Sequence, residues 1–207
     1  MKRFSTFAML VAVVTLSGAC TMPAKRRSDP ATPMEQLLIS EAIERGIEEM
    51  RVHIESPDKA IYLDTTGLTA DQKFMGNVMR GWLGRLGFEI ENDIKSADYQ
   101  LNLVVQSLGT HQTIKFFGMP ASRSAWLPLS IPELALYKRN KEEGYVRFYF
   151  DVFDAETGEY VSTTRDFEGS VYVTKYIFFF VFDWQTTNLS DKEQLEDLED
   201  MDLMDPE

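Results

Sequence analysis

Apolar residues recur at helical spacing in two stretches of this chain and at a two-residue period in several others. In the first helical stretch Ile39, Ala42, Ile43, Gly46, Ile47, Met50 and Ile54 share one face, while Glu41, Glu44, Arg45, Glu48 and Glu49 take the other. Thr32-Pro33-Met34-Glu35 precedes it as a capping box with Pro at the first helical position, and Ser56-Pro57 ends it. The pattern predicts an amphipathic helix of about twenty residues with its stripe in the core. In the second stretch Thr69-Ala70-Asp71-Gln72 repeats the capping pattern ahead of a stripe of Met75, Val78, Met79, Trp82, Leu83 and Leu86, and Gly87 sits at the expected C-terminal cap. Gly76, Gly81 and Gly84 lie inside this helix, each costing up to ~1 kcal/mol against Ala. Three of them imply close approach to a sheet or a neighbour.

Between the helices, Lys59 to Thr65 is short, apolar and rich in β-formers, which predicts a strand. Tyr99, Leu101, Leu103 and Val105 alternate with Gln100, Asn102 and Gln106, the period of a half-solvated strand. Val146, Phe148, Phe150 and Val152 alternate in the same way with Tyr145, Arg147, Tyr149 and Asp151. Asp154-Ala155-Glu156-Thr157-Gly158-Glu159 then predicts a turn, with Tyr160 to Phe167 returning as the second arm of a hairpin. The acidic residues of that turn lack the spacing of a calcium loop. Val171-Tyr172-Val173 and Tyr176 to Trp184 are the last apolar segments, and the second is expected as a buried strand or an interface. Gly109 to Gly144 shows no clean period. Its prolines and aromatics predict a long ordered loop, and loops of that length are often functional. Two helices separated by strands and followed by consecutive strands predict an α+β fold, with two amphipathic helices packed on one face of a mixed, mostly antiparallel sheet.

The N-terminus carries a different pattern. Met1-Lys2-Arg3, an apolar run and Leu16-Ser17-Gly18-Ala19-Cys20 have the form of a secretory signal peptide over residues 1–19. The site resembles the lipobox of bacterial lipoproteins, with Leu16 one position further from the cysteine than usual. That resemblance implies acylation of Cys20 and a membrane anchor. Cleavage after Ala19 by ordinary signal peptidase fits the same small residues. Residues 20–33 are rich in Pro, Ala and charge and predict a tether reaching at most ~45 Å at ~3.5 Å per residue. Thr21 follows the cysteine where Asp would favour the inner membrane, so the expected location is the outer membrane, facing the periplasm. Residues 34–188 are expected as a single domain and 189–207 as an acidic, disordered tail.

Charge narrows the partners. The chain carries a formal charge of −12, and the tail from Ser190 contributes nine carboxylates against Lys192. Nucleic acid is a poor partner for such a surface. Lys25-Arg26-Arg27, close to the anchor, suits anionic head groups locally. Cys20 is the only cysteine, so no internal disulfide can form.

No nucleophile elbow, zinc-binding helix, phosphate-binding loop or dinucleotide fingerprint is present. His53 and His111 are isolated from one another in sequence, and no metal site or cofactor is expected. Asp64, followed by Thr65-Thr66-Gly67, is the one carboxylate in a suggestive setting, although a hydrogen-bonding role in the turn before the second helix explains it as well. The runs Glu35 to Ala42, Tyr62-Leu63-Asp64-Thr65, Ala97-Asp98-Tyr99, Phe117-Gly118-Met119-Pro120 and Pro132 to Arg139 resemble an uncharacterised family of bacterial lipoproteins over Thr32 to Gly158. At the level of fold the element order is similar to periplasmic lipoprotein modules serving envelope machines, such as activators of penicillin-binding proteins and curli-secretion lipoproteins. The resemblance implies export and anchoring and supplies no catalytic residue. The expected function is therefore a non-catalytic accessory role, with Phe116, Phe117, Met119, Trp126 and Leu127 contacting an envelope protein. A small-molecule or lipid-binding module, lined by Trp82, Phe148, Phe150 and the late Phe cluster, is the alternative. An enzyme comes third and would require Asp64 beside a histidine.

Overall fold

The computed structural model describes residues 31–51, 59–123 and 130–191. In chain order the elements are α1 (Pro33–Arg51), β1 (Ala60–Gly67), α2 (Gln72–Arg85), β2 (Glu89–Glu91), a 3-10 turn (Ile94–Ser96), β3 (Tyr99–Met119), β4 (Ser122–Arg123), β5 (Ser130–Ile131), β6 (Leu134–Asp154), β7 (Tyr160–Thr163), β8 (Phe167–Phe178) and β9 (Phe182–Thr187). The main sheet runs β2-β1-β3-β6-β8-β9, with β7 paired to β6, while β4 and β5 form a separate two-stranded sheet. β1 is parallel to both β2 and β3, and the sheet is otherwise mostly antiparallel. The α+β class read from the sequence is the fold observed.

The chain divides into two compact units. Among the described residues, one comprises 31–51, 59–111, 142–173 and 187–191; the other comprises 112–123, 130–141 and 174–186. The strands β3, β6 and β8 each contribute residues to both.

The first unit holds the helices and the core. α1 opens with the capping box expected for it: the Thr32 N–H donates to Glu35 Oε2 at 2.8 Å, and the Glu35 N–H donates to Thr32 Oγ1 at 3.2 Å. Its stripe residues Ile39, Ala42, Ile43, Gly46, Ile47 and Met50 are all buried, and so is Leu38. Ile54 and the Ser56-Pro57 stop lie outside the described residues. The helix sits unusually close to the sheet along the row Leu38, Ala42, Gly46, which is one i, i+4 ridge. A Cβ on Gly46 would stand 2.9 Å from the Phe148 ring and 3.2 Å from Val146, one on Gly144 would strike the Leu38 carbonyl, and one on Gly169 the Ala42 carbonyl. At the far side of this seam Arg45 donates to the Ser170 carbonyl at 3.2 Å and to the Asn188 carbonyl, and it pairs with Glu41. Ser190 is bound in turn to Glu41, and Leu189 is buried.

α2 buries Met75, Met79, Trp82 and Leu83, while Val78 and Leu86 pack against the same cluster. A left-handed Gly87 (φ 93°) closes it, with the Phe88 N–H returning to the Leu83 carbonyl at 3.2 Å. The second capping box does not form. The Asp71 side chain makes no capping hydrogen bond to the helix, and the Thr69 hydroxyl is buried without a hydrogen bond. The Gln72 N–H bonds the Thr69 carbonyl instead, so a backbone turn takes the place of side-chain exchange. Of the three helix glycines only Gly76 is at a close approach, where a Cβ would meet Thr65 Oγ1 at 2.6 Å; Gly81 faces open space. Phe148 lies edge-on to Phe150 and 5.6 Å from Phe167, forming an aromatic centre for one continuous cluster shared by both helices and the sheet. Trp82, Phe148 and Phe150 are thus core residues, not pocket walls.

Three expectations about strands change. The stretch Gly109 to Gly144 is no long loop, because β3 continues to Met119 and β6 begins at Leu134. Its side chains alternate without polarity contrast, so a strand leaves no periodic signature there. The second arm after the turn is short: β7 pairs with β6 only over residues 160–163, and Phe167 already belongs to β8. Asp64 lies inside β1, opposite Asn102, rather than in the turn.

The turn at 154–158 is set by Asp154, whose carboxylate accepts from the N–H groups of Glu156 and Thr157 and from the Thr157 hydroxyl. These bonds, led by the one from the Thr157 N–H, hold its pKa below the usual carboxylate value. The depressed pKa means that the carboxylate stabilises the fold above the ordinary Asp range and that this contribution is lost as pH falls through the folded value. Asp154→Ala should therefore flatten the acid limb of stability against pH, as read by urea unfolding at several pH values. Gly169→Ala should lower stability by about 1–3 kcal/mol through overpacking. Gly81→Ala, facing open space, should raise it by about 0.4–1 kcal/mol. Equal effects at the two glycines in chemical denaturation would contradict the seam.

Candidate functional site

The second unit is built from the ends of long strands, and its surface is where apolar residues meet solvent. Phe117, Met119, Leu134 and Leu136 are exposed at the ends of β3 and β6, while Phe116 is half-buried. Cys20, Trp126 and Leu127 lie outside the described residues. Of the five residues expected to bind a partner, the structure therefore brings Phe116, Phe117 and Met119 together on one strand end.

The late aromatic segment, expected as a buried strand or an interface, is the tip of a hairpin. β8 ends at Phe178, β9 starts at Phe182, and the residues between them turn in solvent. Phe180, Val181 and Phe182 are 59 %, 66 % and 65 % exposed, and Phe178, Phe179 and Trp184 are also exposed. Phe179 and Phe180 have φ of 47° and 50°, and the Val181 N–H closes the turn on the Phe178 carbonyl at 3.4 Å. Two consecutive positive φ values are the mark of a type I′ hairpin turn, which favours Asn-Gly. A bulky aromatic residue in this region is strained. Two phenylalanines in solvent at such positions add the cost of hydrating apolar surface to that strain.

The hairpin is positioned by its neighbour. The Phe179 and Phe180 N–H groups donate to the Leu136 and Ala135 carbonyls at 3.0 and 2.9 Å. Gly118 is needed beside them, since a Cβ there would strike the Leu134 carbonyl. Behind the tip, Tyr176 stacks on Trp184 with centroids 5.1 Å apart and planes 7° from parallel, and the Arg139 guanidinium lies 5.9 Å from the Tyr176 ring centroid. Lys138 pairs with Glu133 at 2.8 Å.

Among the described residues the candidate chemistry does not gather in one place. His111 lies with Thr110, Glu143 and Tyr145 along a shallow groove of about 490 Å³ in the helical unit. Tyr145 is held above the ordinary tyrosine pKa by burial and then by the charge of Glu168. The exposed Asp64 carboxylate accepts from the Thr65 N–H at 2.9 Å, and His53 lies outside the described residues. Among the described residues no three His, Cys, Asp or Glu side chains stand close enough to hold a metal ion. No helix among them is long and apolar enough to cross a membrane.

Phe179→Asn together with Phe180→Gly should raise stability by about 1–3 kcal/mol, because residues that favour positive φ relieve the turn. Urea unfolding would measure this, and a lowered midpoint would contradict a strained turn.

Neither a family model nor a curated protein sequence matches the chain. Among solved structures it is similar to the lipoprotein GNA1162 of Neisseria meningitidis, with 10% identity over 70% of this chain and 94% of that one, at a TM-score of 0.32. It is also similar to the C-terminal domain of LpoB from Salmonella enterica, with 7% identity over 64% and 96% and a TM-score of 0.29. A minor lipoprotein of Acinetobacter baumannii follows, at 11% identity over 69% and 85% and a TM-score of 0.29. Scores this low carry no functional argument, and the role of the chain has to be read from its own residues.

Proposed function

We propose that this chain is an accessory lipoprotein of the bacterial envelope that works by binding rather than by catalysis. Acylated Cys20 anchors it in the outer membrane facing the periplasm, and the exposed ends of β3 and β6 hold an envelope protein. The observation that carries this reading is the apolar surface of Phe117, Met119, Leu134 and Leu136, all exposed side by side on neighbouring strands. Contiguous exposed apolar residues of this kind mark an interaction surface. The leader pattern around Cys20 supports the anchor, and Thr21 supports the outer-membrane address.

The double substitution Phe117→Ser, Met119→Ser should remove a protein that the wild-type chain recovers from detergent-solubilised membranes. An unchanged set of recovered proteins would overturn the binding reading. The anchor is read separately: radiolabelled palmitate should enter the wild-type chain and be lost in Cys20→Ala, and an unlabelled wild-type chain would overturn it.

A further inference from the structure

We propose that the β8–β9 hairpin is a second membrane contact, independent of Cys20, whose Phe tip enters the interface of a bilayer containing anionic phospholipid. The first observation is an ordered layering along the strands. Moving toward the tip, β8 reads Lys175, then Tyr176, then the Phe residues; β3 reads Lys115, then Phe116 to Met119. β6 runs the other way and reads Leu134 to Leu136 before Lys138, Arg139 and Lys141. Cations thus stand behind the Phe tip on β8 and on the neighbouring strands β6 and β3, whose own apolar ends are the protein-binding surface. Between the two zones stands the Tyr176–Trp184 stack, with Arg139 near its Tyr face. Cations, then Tyr and Trp, then Phe is the order in which a bilayer presents head groups, interface and acyl chains.

The second observation is charge. Among the described side chains of this unit Lys115, Lys138, Arg139, Lys141 and Lys175 stand against Glu133 and Asp183, a net of +3 in a chain whose total is −12. Positive charge concentrated beside the exposed aromatics matches anionic head groups. An equivalent patch on a second copy would bring the same positive charge against it, which disfavours a symmetric dimer through this face.

The third observation is the turn. Phe179 and Phe180 hold positive φ at the exposed turn of the hairpin, where folding alone would favour Asn-Gly. Phe178, the last residue of β8, lies two residues beyond Tyr176, about 7 Å of strand, with the turn residues following it. That length suits insertion about 5–10 Å into the boundary of head groups and acyl chains, and falls short of a span.

The test uses the full chain without its leader and carrying Cys20→Ala, so that no acyl group contributes. Vesicles of phosphatidylglycerol with phosphatidylethanolamine should sediment it, and vesicles of phosphatidylcholine should do so about tenfold less well. Raising salt from about 0.05 M to about 0.5 M should weaken the anionic binding through screening. Trp184 fluorescence should shift to the blue on binding, a signal absent in Trp184→Phe. Phe179→Asn with Phe180→Gly keeps the turn and should lower vesicle affinity about tenfold, as should Phe180→Ser with Phe182→Ser. Lys138→Glu with Lys175→Glu should weaken only the anionic binding. Equal affinity of wild type and both tip variants, equal binding to anionic and neutral vesicles, or a self-association lost in the tip variants without vesicle binding would each overturn the proposal. Since the vesicles hold no protein and the pull-down in detergent holds no bilayer, either contact can fail without the other.

Discussion

The seam between α1 and the sheet rests on the absence of three Cβ atoms. Leu38, Ala42 and Gly46 form one ridge of the helix, and Gly144 and Gly169 lie beneath it where carbonyl oxygens leave no room for a methyl group. Such proximity sets the depth at which the helix lies, and the depth sets what its flanks can reach. Ile39, Ile43, Ile47 and Met50 enter the core alongside Phe148 and Phe150, and Arg45 comes within reach of the Ser170 and Asn188 carbonyls. A helix held one methyl further out would leave voids around the aromatic centre and lose that hydrogen-bonded clasp. The helical unit therefore depends on packing by subtraction, with small residues on both sides of one contact.

The other unit shows the opposite economy. Its hairpin keeps aromatic residues in solvent and places two of them in a backbone region that suits glycine or asparagine. Neither feature helps the isolated chain fold. The stable core tolerates both because its own cohesion comes from a separate set of residues. Contact is consequently a matter of surface, carried by apolar strand ends flanked by cations.

Much of the helical unit was legible in the pattern of residues. The α1 stripe from Ile39 to Met50, its capping box, the α2 stripe from Met75 to Leu83 and the alternation in Tyr99 to Val105 and Val146 to Phe150 all follow from one-sided burial, which writes a period into the chain. The continuation of β3 and β6 through residues 109–119 and 134–144 was not legible. Neither face of those segments is consistently buried, so no contrast between faces is written there. The capping motif at Thr69 to Gln72 matched in letters yet formed no side-chain exchange: the backbone turn took the Gln72 N–H and left the Thr69 hydroxyl and Gln72 Oε1 buried without a partner. Of the candidate site, Phe116, Phe117 and Met119 were found from composition, whereas the nine residues Tyr176 to Trp184 left burial and exposure both open.

Features that depend on a local period or a local chemical group were readable residue by residue: two amphipathic helices, the half-buried strands, the α+β class, the leader pattern around Cys20, and the acidic balance of the whole. The position of apolar residues without a period came only from the folded sheet. Nothing local marks Phe179-Phe180 as a turn. Its place is set by hydrogen bonds to the Leu136 and Ala135 carbonyls, partners more than forty positions away. Pairing across that distance is a property of the folded sheet, so exposure of the Phe tip could be read only once the strands had been placed.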